Sequence, residues 1–250
     1  MLLTKILNRI KNHRFIKPTL EKRAFRKDMR EFSTLSKSMG RKVPTEKEIH
    51  MQLHDKTSST LFDRHYIYHP AWAARVLKET NPSLHIDISS ILSFSTILSA
   101  FIPTEFYDYR PADISLSSFK SKQADLLALP FETSSINSLS CMHTVEHVGL
   151  GRYGDPLDPN ADIKACSELA RVLAPNGVLL FVVPVGKEST IHYNAHRIYS
   201  YDDVLSMFKN LSLVEYTLVA LKGGDPIKNA TKEDTAKEYY GCGCFWFTKK

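Results

Sequence analysis

The chain contains 250 residues, of which 43% are hydrophobic and 24% are charged. These proportions are those of an ordinary globular protein and exclude a largely disordered or collagen-like chain. The longest apolar stretch runs from Val178 to Val185 and contains Pro184. Because a membrane-spanning helix needs roughly 18 consecutive apolar residues, we expect no integral membrane protein.

The N-terminal segment carries the positive charge of the chain. Residues 1–42 contain 13 lysines and arginines against three acidic residues, whereas the remainder is mildly acidic. Apolar residues at helical spacing are Leu2, Leu3, Ile6, Leu7 and Ile10. This pattern favours peripheral contact with the anionic inner face of a membrane, or a helical arm packed on a partner chain. The acidic body argues against nucleic acid as a partner.

The N-terminal extension is predicted to be helical and to end near residue 44. A second helical piece is predicted from Leu20 to about Ser36, and Gly40 and Pro44 then interrupt the helical pattern. Residues 45–64 are polar and poorly periodic. We therefore predict a basic helical extension over residues 1–44, a linker over 45–64 and a separate domain over 65–250.

The predicted domain alternates between strands and helices. Strands are predicted at 84–88, 104–108, 123–127, 137–143, 178–185, 213–221 and 244–248. Helices are predicted at 70–78, with Pro70 as the first residue, and at 91–101, 162–173 and 201–208. Such alternation predicts an α/β fold with a doubly wound, mostly parallel seven-stranded sheet, covered by helices on both faces and with its last strand antiparallel.

The cysteine pattern is typical of a reducing compartment. Cys141 and Cys166 are isolated, and the spacing of Cys242 and Cys244 is tighter than the C-x-x-C spacing of zinc and redox sites. We expect four free thiols, and the spacing predicts no metal site at the C-terminal pair. Because no signal peptide is recognisable, the cytoplasm is the expected location.

Polar side chains follow three consecutive predicted strands. Asp87, Ser89 and Ser90 follow the first strand, Asp108 the second and Asp125 the third. In open α/β sheets, ligands bind at the carboxyl ends of the strands, and an acid about 20 residues after the first strand accepts hydrogen bonds from a ribose diol. The spacing therefore favours a nucleoside site, although turn aspartates on the surface would give the same pattern.

Several phrases of the sequence resemble the seven-stranded, class I S-adenosylmethionine-dependent methyltransferases over about residues 65–250. The resembling segments are 125–131 (DLLALPF), 144–148 (TVEHV), 168–177 (ELARVLAPNG) and 196–200 (HRIYS). More narrowly, residues 147–159 (HVGLGRYGDPLDP) resemble a small methyltransferase-like family known only as a domain of unknown function. The resemblance implies a methyltransferase fold with an S-adenosylmethionine site at the carboxyl edge of the sheet.

The resemblance also assigns roles to the residues at that edge. Asp108 would hold the ribose, Asp125 and Leu126 the adenine, and Ser89 and Ser90 the methionine carboxylate, with Asp87 at the end of the first strand. The family usually carries G-x-G-x-G after this strand, where a backbone close to the cofactor adopts positive φ, and the loop here has no glycine. A non-catalytic binding or assembly protein on the same fold is therefore the alternative to an enzyme.

The expected reaction is methyl transfer to an oxygen of a small or carbohydrate acceptor. A hydroxyl acceptor needs a base, and the candidates are His147, His143, Glu146 and His196. The segment 143–147 also matches the H-x-x-E-H phrase of metalloproteases, but the glycines that follow it interrupt the helix that this chemistry requires.

A magnesium site is a weaker expectation at the same edge. Asp155 and Asp158, together with His143 or His147, would provide the oxygen-rich ligand set that could bring a magnesium ion to a sugar diol. A solvated turn rich in glycine and proline is the competing interpretation.

Overall fold

The computed structural model describes residues 2–250, with side chains described from Leu20 onward, and divides into two compact units, residues 1–61 and 62–250. In the first unit, helix α1 (Leu2–Ser38) is continuous, where two helical pieces were predicted. It ends at Gly40, the first glycine of the chain, which adopts φ 64°. The predicted apolar stripe over residues 2–10 lies outside the described side chains. Among the described residues, no helix combines the length and the apolar character that a bilayer crossing requires.

The second unit is built on one mostly parallel sheet. Its strands are β1 (His85–Ile88), β2 (Thr104–Asp108), β3 (Phe119–Gln123), β4 (Ile136–Met142), β5 (Leu173–Val185), β8 (Leu211–Val219), β9 (Ile227–Lys228) and β10 (Gly241–Lys249). They are ordered β3-β2-β1-β4-β5-β10-β8-β9. Strands β1 to β5 are parallel, and β10 lies antiparallel between β5 and β8. The predicted fold is confirmed, and the two-residue edge strand β9 adds an eighth strand.

Helices cover both faces of this sheet. They are α2 (Arg64–Thr80), α3 (Leu92–Leu98), α4 (Ala161–Val172), α5 (Tyr201–Met207) and the short α6 (Lys232–Thr235). Alternate residues of β5 point in opposite directions: Phe181 packs in the cluster with α4 and α5, whereas Val182 packs in the cluster with α2 and α3. This double burial explains why β5 is an almost continuous apolar run.

Helix α2 begins six residues before the predicted start at Pro70. Asp63 caps it by accepting a hydrogen bond from the Tyr66 backbone N–H at 3.3 Å. The first buried positions of the helix are His65 and His69, which face the sheet together with Trp72. Because the buried positions of the first two turns are histidines, which a hydropathy scale treats as polar, a hydropathy pattern does not reveal these two turns.

Two other elements differ from their predicted form. Strand β3 was predicted at 123–127 but pairs with β2 over Phe119–Gln123, because it is a polar edge strand without an apolar pattern. Helix α3 was expected to be buried nearly all round, yet Ile97 is 66% exposed and Phe101, beyond its end, is 82% exposed. Only one face of α3 therefore contributes to the core.

A separate two-stranded hairpin follows β5 and was not predicted. It consists of β6 (Thr190–His192) and β7 (His196–Ile198), with Asn194 at φ 62° in the turn. Strand β6 is exposed throughout. In β7, Arg197 is buried: its guanidinium lies 3.4 Å from the Asp162 carboxylate and donates to the Val148 carbonyl at 2.7 Å. One strand of the hairpin is thus anchored to the domain.

Candidate functional site

A pocket of about 310 Å³ opens at the carboxyl edge of the sheet, where the strand order reverses between the parallel strands β1 and β4. Six residues predicted to bind the cofactor or to act as a base line it: Ser89, Asp108, Asp125, Leu126, His143 and His147. The other lining residues are Tyr109, Arg110, Ala124, Leu127, Thr144, Val148, Gly149, Tyr153, Asp155 and Pro156. The pocket therefore gathers the loops that follow β1, β2, β3 and β4, as expected for a ligand site in this class of sheet.

The loop after β1 adopts the backbone conformation for which glycine is usually needed. Ser89 has φ 53°, in the left-handed region. Its N–H donates to the Tyr107 carbonyl at 2.8 Å, and its own carbonyl accepts from Thr144 Oγ1 at 2.9 Å. These contacts hold a conformation that costs roughly 1–2 kcal/mol for a residue with a Cβ. The glycine-free loop thus retains the positive φ expected beside a closely approaching ligand.

Asp87 and Ser90 lie behind the pocket and do not line it. The Asp87 carboxylate is fully buried and accepts from Ser140 Oγ at 2.6 Å and from the hydroxyls of Ser90 and Ser95. Burial raises the pKa of Asp87 to about 6, although these three hydroxyls favour the ionised form. Ser90 Oγ also accepts from the Met142 N–H at 3.1 Å. Both side chains therefore shape the loop from behind.

The two other acids lie at the pocket wall. Asp108 Oδ1 accepts from the Arg110 N–H at 2.7 Å, and Asp125 Oδ1 accepts from the Leu127 N–H at 2.8 Å. Each carboxylate thus closes a turn directly after its strand or strand extension. Each has a second oxygen that can accept a hydrogen bond from a ligand.

His147 is half-buried at the pocket wall and held in one orientation. Its Nδ1 lies 2.6 Å from the Ala195 carbonyl in the hairpin turn. Because a carbonyl only accepts, Nδ1 carries the proton and the neutral ring has its lone pair on Nε2. His147 is therefore arranged as a proton acceptor.

His143 is arranged differently, although it also lines the pocket. Its Nδ1 lies 2.7 Å from Glu146 Oε1, and both side chains are buried. Burial lowers the pKa of His143, but the charge of Glu146 and the neighbouring Cys242 outweigh this effect and raise it to about 10. In this state His143 keeps its proton at neutral pH, and Glu146 is engaged as its partner.

The fourth candidate base, His196, lies on the hairpin, and its ring is next to that of His147. The two ring centroids are 6.5 Å apart, and His196 stacks on His192 at 5.1 Å. Partial burial and the neighbouring His192 and His147 lower the pKa of His196. The structure thus places His196 next to His147, which lines the pocket together with Ser89, Asp108 and Asp125.

The expected magnesium ligands are not brought together. Asp155 accepts from the N–H groups of Gly149 and Tyr153, at 2.6 and 3.2 Å, and Asp158 pairs with Lys164 at 2.7 Å. These contacts fold the 147–159 loop on itself. Gly149, at φ 77°, lies so close to the Asp158 carbonyl that a Cβ would approach it to 2.2 Å. The carboxylates therefore have structural partners that the spacing did not reveal.

Sequence reasoning missed the rim of the pocket and one of its hydroxyls. Arg110 and Tyr153 line the pocket, and Arg110 and Arg152 both contact the ring of Tyr153, at 4.9 and 5.1 Å from its centroid. Thr144 lines the pocket next to Ser89. The accumulation of arginine and tyrosine after β2 and β4 was the available signal.

Comparison with family models shows the family to which the chain belongs. A model described as "Caenorhabditis protein of unknown function, DUF268" matches residues 87–221, which is more than half of the sequence. The chain belongs to this family. The matched DUF268 region extends from Asp87 at the end of β1 to just after β8, so it includes the whole pocket. Among curated proteins, none matches the sequence significantly.

Three solved structures that are similar to this chain are described as methyltransferases. One is 1,6-didemethyltoxoflavin-N1-methyltransferase of Burkholderia thailandensis, solved with 1,6-didemethyltoxoflavin and S-adenosylhomocysteine: TM-score 0.52, 9% identity, 73% of this chain and 79% of that chain. Another is N-methyltransferase NodS of Bradyrhizobium japonicum WM9: TM-score 0.51, 16% identity, 75% and 97% covered. A third is a putative methyltransferase of Bacillus halodurans C-125: TM-score 0.51, 13% identity, 72% and 98% covered. The DUF268 chain therefore has the class I methyltransferase fold.

Proposed function

We propose that this DUF268 protein is an S-adenosylmethionine-dependent methyltransferase that methylates an oxygen of a small or carbohydrate acceptor. The observation that carries the proposal is that Ser89, Asp108, Asp125 and Leu126 line the same pocket. This pocket lies at the edge of the sheet where folds of this class bind ligands. The left-handed Ser89 supports it, because the loop keeps the backbone path of a cofactor loop without its glycines.

The residues at the wall fit the parts of the cofactor. Asp108 Oδ2 accepts from the ribose hydroxyls, and Asp125 accepts from the adenine amine beside the apolar Leu126. The Ser89 loop contacts the methionine end. Asp87 and Ser90 act from behind by holding this loop. S-adenosylmethionine supplies an activated methyl group when bound, so the protein mainly aligns the acceptor oxygen with it.

His147 is the proposed general base. Its Nε2 lone pair takes the proton of the acceptor hydroxyl. The Ala195 carbonyl accepts a hydrogen bond from Nδ1–H and so orients the ring. His196 lies next to it and contributes to the acceptor side. His143 does not serve as the base in this scheme, because its partner Glu146 stabilises the protonated ring.

Titration calorimetry with S-adenosylmethionine and S-adenosylhomocysteine tests the proposal. We expect binding, and we expect Asp108→Ala to weaken it at least tenfold, since one or two charge-assisted hydrogen bonds of about 1.5–3 kcal/mol each are lost. Asp113→Ala, an exposed acid in the same loop that does not line the pocket, is the matched control. A folded chain that produces no binding heat at millimolar cofactor contradicts the proposal and favours a non-catalytic binding or assembly protein.

A further inference from the structure

A second cluster of chemically reactive side chains lies buried beside the pocket. His65 comes from α2, His143 follows β4, and Cys242 lies on β10. They are 4%, 9% and 0% exposed, respectively. One potential ligand atom from each lies within 4.8 Å of the other two, the single such group of three or more metal-ligating residues within the described part of the chain. None of the sequence spacings pointed to this group.

The cluster has the dimensions of a tetrahedral metal site. His143 Nε2 lies 3.5 Å from Cys242 Sγ. With Zn–N near 2.1 Å and Zn–S near 2.3 Å, tetrahedral geometry places the two ligand atoms about 3.6 Å apart. The remaining ligand pairs are within 4.8 Å, so each needs to close by roughly 1.4 Å at most.

The hydrogen bonds around the cluster orient its nitrogens. Glu146 accepts at 2.7 Å from His143 Nδ1, which leaves Nε2 facing the sulfur. A carboxylate behind a histidine is the usual outer partner of a metal ligand, because it fixes the ring and makes the coordinating nitrogen more basic. This arrangement accounts for a glutamate that is only 1% exposed.

Two imidazole nitrogens at the same place have no partner within the described residues. They are Nε2 of His65 and Nε2 of His69, and both atoms are buried. His69 donates through Nδ1 to the His65 carbonyl at 2.7 Å, so its Nε2 carries a lone pair. Buried polar atoms without partners cost free energy, and unpaired nitrogens beside a thiol point to a ligand that accepts lone pairs.

We propose that His65, His143 and Cys242 bind a zinc ion. Two imidazoles and one thiolate suit Zn²⁺ and exclude hard cations such as Mg²⁺ and Ca²⁺, which prefer oxygen ligands. Binding replaces the Nε2 proton of His143 and the thiol proton of Cys242. Candidates for a fourth ligand are Cys244, whose Sγ is 3.8 Å from that of Cys242, and His69, whose ring centroid is 5.0 Å from that of His143. The ion links α2, the β4 loop and β10.

Metal analysis and cobalt substitution of the full-length protein test this proposal. After removal of metal with a chelator and addition of zinc, we expect one tightly held zinc per chain. Replacement by Co²⁺ should give the intense thiolate-to-cobalt charge-transfer absorption. Cys242→Ser should lose the zinc and this absorption, whereas Cys166→Ser, which removes an equally buried thiol on α4, should keep both. Zinc should raise the melting temperature of the wild type and of Cys166→Ser only.

Three results would overturn the proposal. They are a wild-type chain that retains no zinc after desalting, a cobalt complex without thiolate absorption, and a Cys242→Ser chain with an undiminished zinc content. The cobalt spectrum of the wild type decides the question even if Cys242→Ser fails to fold. None of these measurements depends on methyl transfer, so their outcome is independent of the proposed function.

Discussion

Thr144 Oγ1 donates a hydrogen bond of 2.9 Å to the carbonyl of Ser89 and thereby joins the loop after β4 to the loop after β1. The two loops lie on either side of the point where the strand order reverses. The hydroxyl of Thr144 therefore helps to hold Ser89 at its positive φ from the neighbouring loop.

Removal of this hydroxyl should loosen the pocket. We expect Thr144→Val, which keeps the shape of the side chain, to lower the free energy of unfolding by about 1 kcal/mol, the typical value of one hydrogen bond. The affinity for S-adenosylhomocysteine should fall several-fold, because the loop must be ordered again on binding. Urea denaturation and calorimetry measure the two effects. Thr96→Val, at a half-buried position of α3 that does not line the pocket, should leave the affinity unchanged.

Glycine at position 89 should stabilise the protein. Because Ser89 is in the left-handed region, we expect Ser89→Gly to raise the free energy of unfolding by about 1 kcal/mol. Ser118, at φ 58° before β3, should respond in the same direction. Ser90→Gly should destabilise, because Ser90 has ordinary φ and its hydroxyl bonds Asp87 and Met142. Equal effects of Ser89→Gly and Ser90→Gly in urea would contradict this interpretation.

Asp87 should give the stability a distinctive pH dependence. Burial raises its pKa in the folded chain to about 6, above the value near 3.8 of an exposed carboxyl. Between these values the folded chain binds more protons than the unfolded chain, so the Asp87 contribution to stability falls as pH rises from about 4 to about 6. The total loss is a few kcal/mol at most. Urea denaturation at pH 4.5 and pH 7 measures this effect. Between these pH values, the free energy of unfolding of the wild type should fall more than that of Asp87→Asn.

His147 should be essential for the chemical step and dispensable for cofactor binding. We expect His147→Ala to reduce single-turnover methyl transfer by about 10²–10⁴-fold, the usual contribution of a general base, with the affinity for the cofactor little changed. His192→Ala, on the exposed strand of the hairpin, is the matched control. Full activity of His147→Ala between pH 6 and 9 would transfer the role to His196.

The basic extension should determine any affinity for membranes. With 13 basic and three acidic residues in positions 1–42, the full-length chain is expected to co-sediment with anionic vesicles and to be released by salt. Vesicles of neutral lipid provide the comparison. If a chain lacking residues 1–42 sediments equally well, the extension is not the membrane contact, and packing on a partner chain becomes the interpretation to test.

The features predicted correctly from sequence are those set by short-range patterns. The apolar run of β5 and the acids after β1 and β2 required only local periodicity and spacing, and β2 was predicted at its observed bounds. Asp108 and Asp125 could be assigned to one wall because parallel strands bring their carboxyl ends to one edge.

The features that were not predicted depend on contacts between distant parts of the chain. Cys242 meets His143 across 99 residues of sequence, and no spacing rule connects them. His65 and His69 occupy the buried face of α2, where a hydropathy pattern treats them as polar. The carboxylate of Asp155 accepts hydrogen bonds within its own loop and that of Asp158 pairs with Lys164 on α4, which a count of acidic residues cannot reveal.

The hydrogen bond between the hairpin turn and His147 links the position of the turn to the tautomer of the His147 ring. When the Ala195 carbonyl accepts the hydrogen bond, the proton stays on Nδ1 and the ring presents a lone pair at Nε2. When the turn moves away, the ring is free to exchange tautomers and to present an N–H instead. Arg197 anchors the inner strand, whereas the outer strand is exposed throughout. If His147 is the general base, the position of the hairpin turn therefore sets whether Nε2 is able to accept the proton of an acceptor hydroxyl.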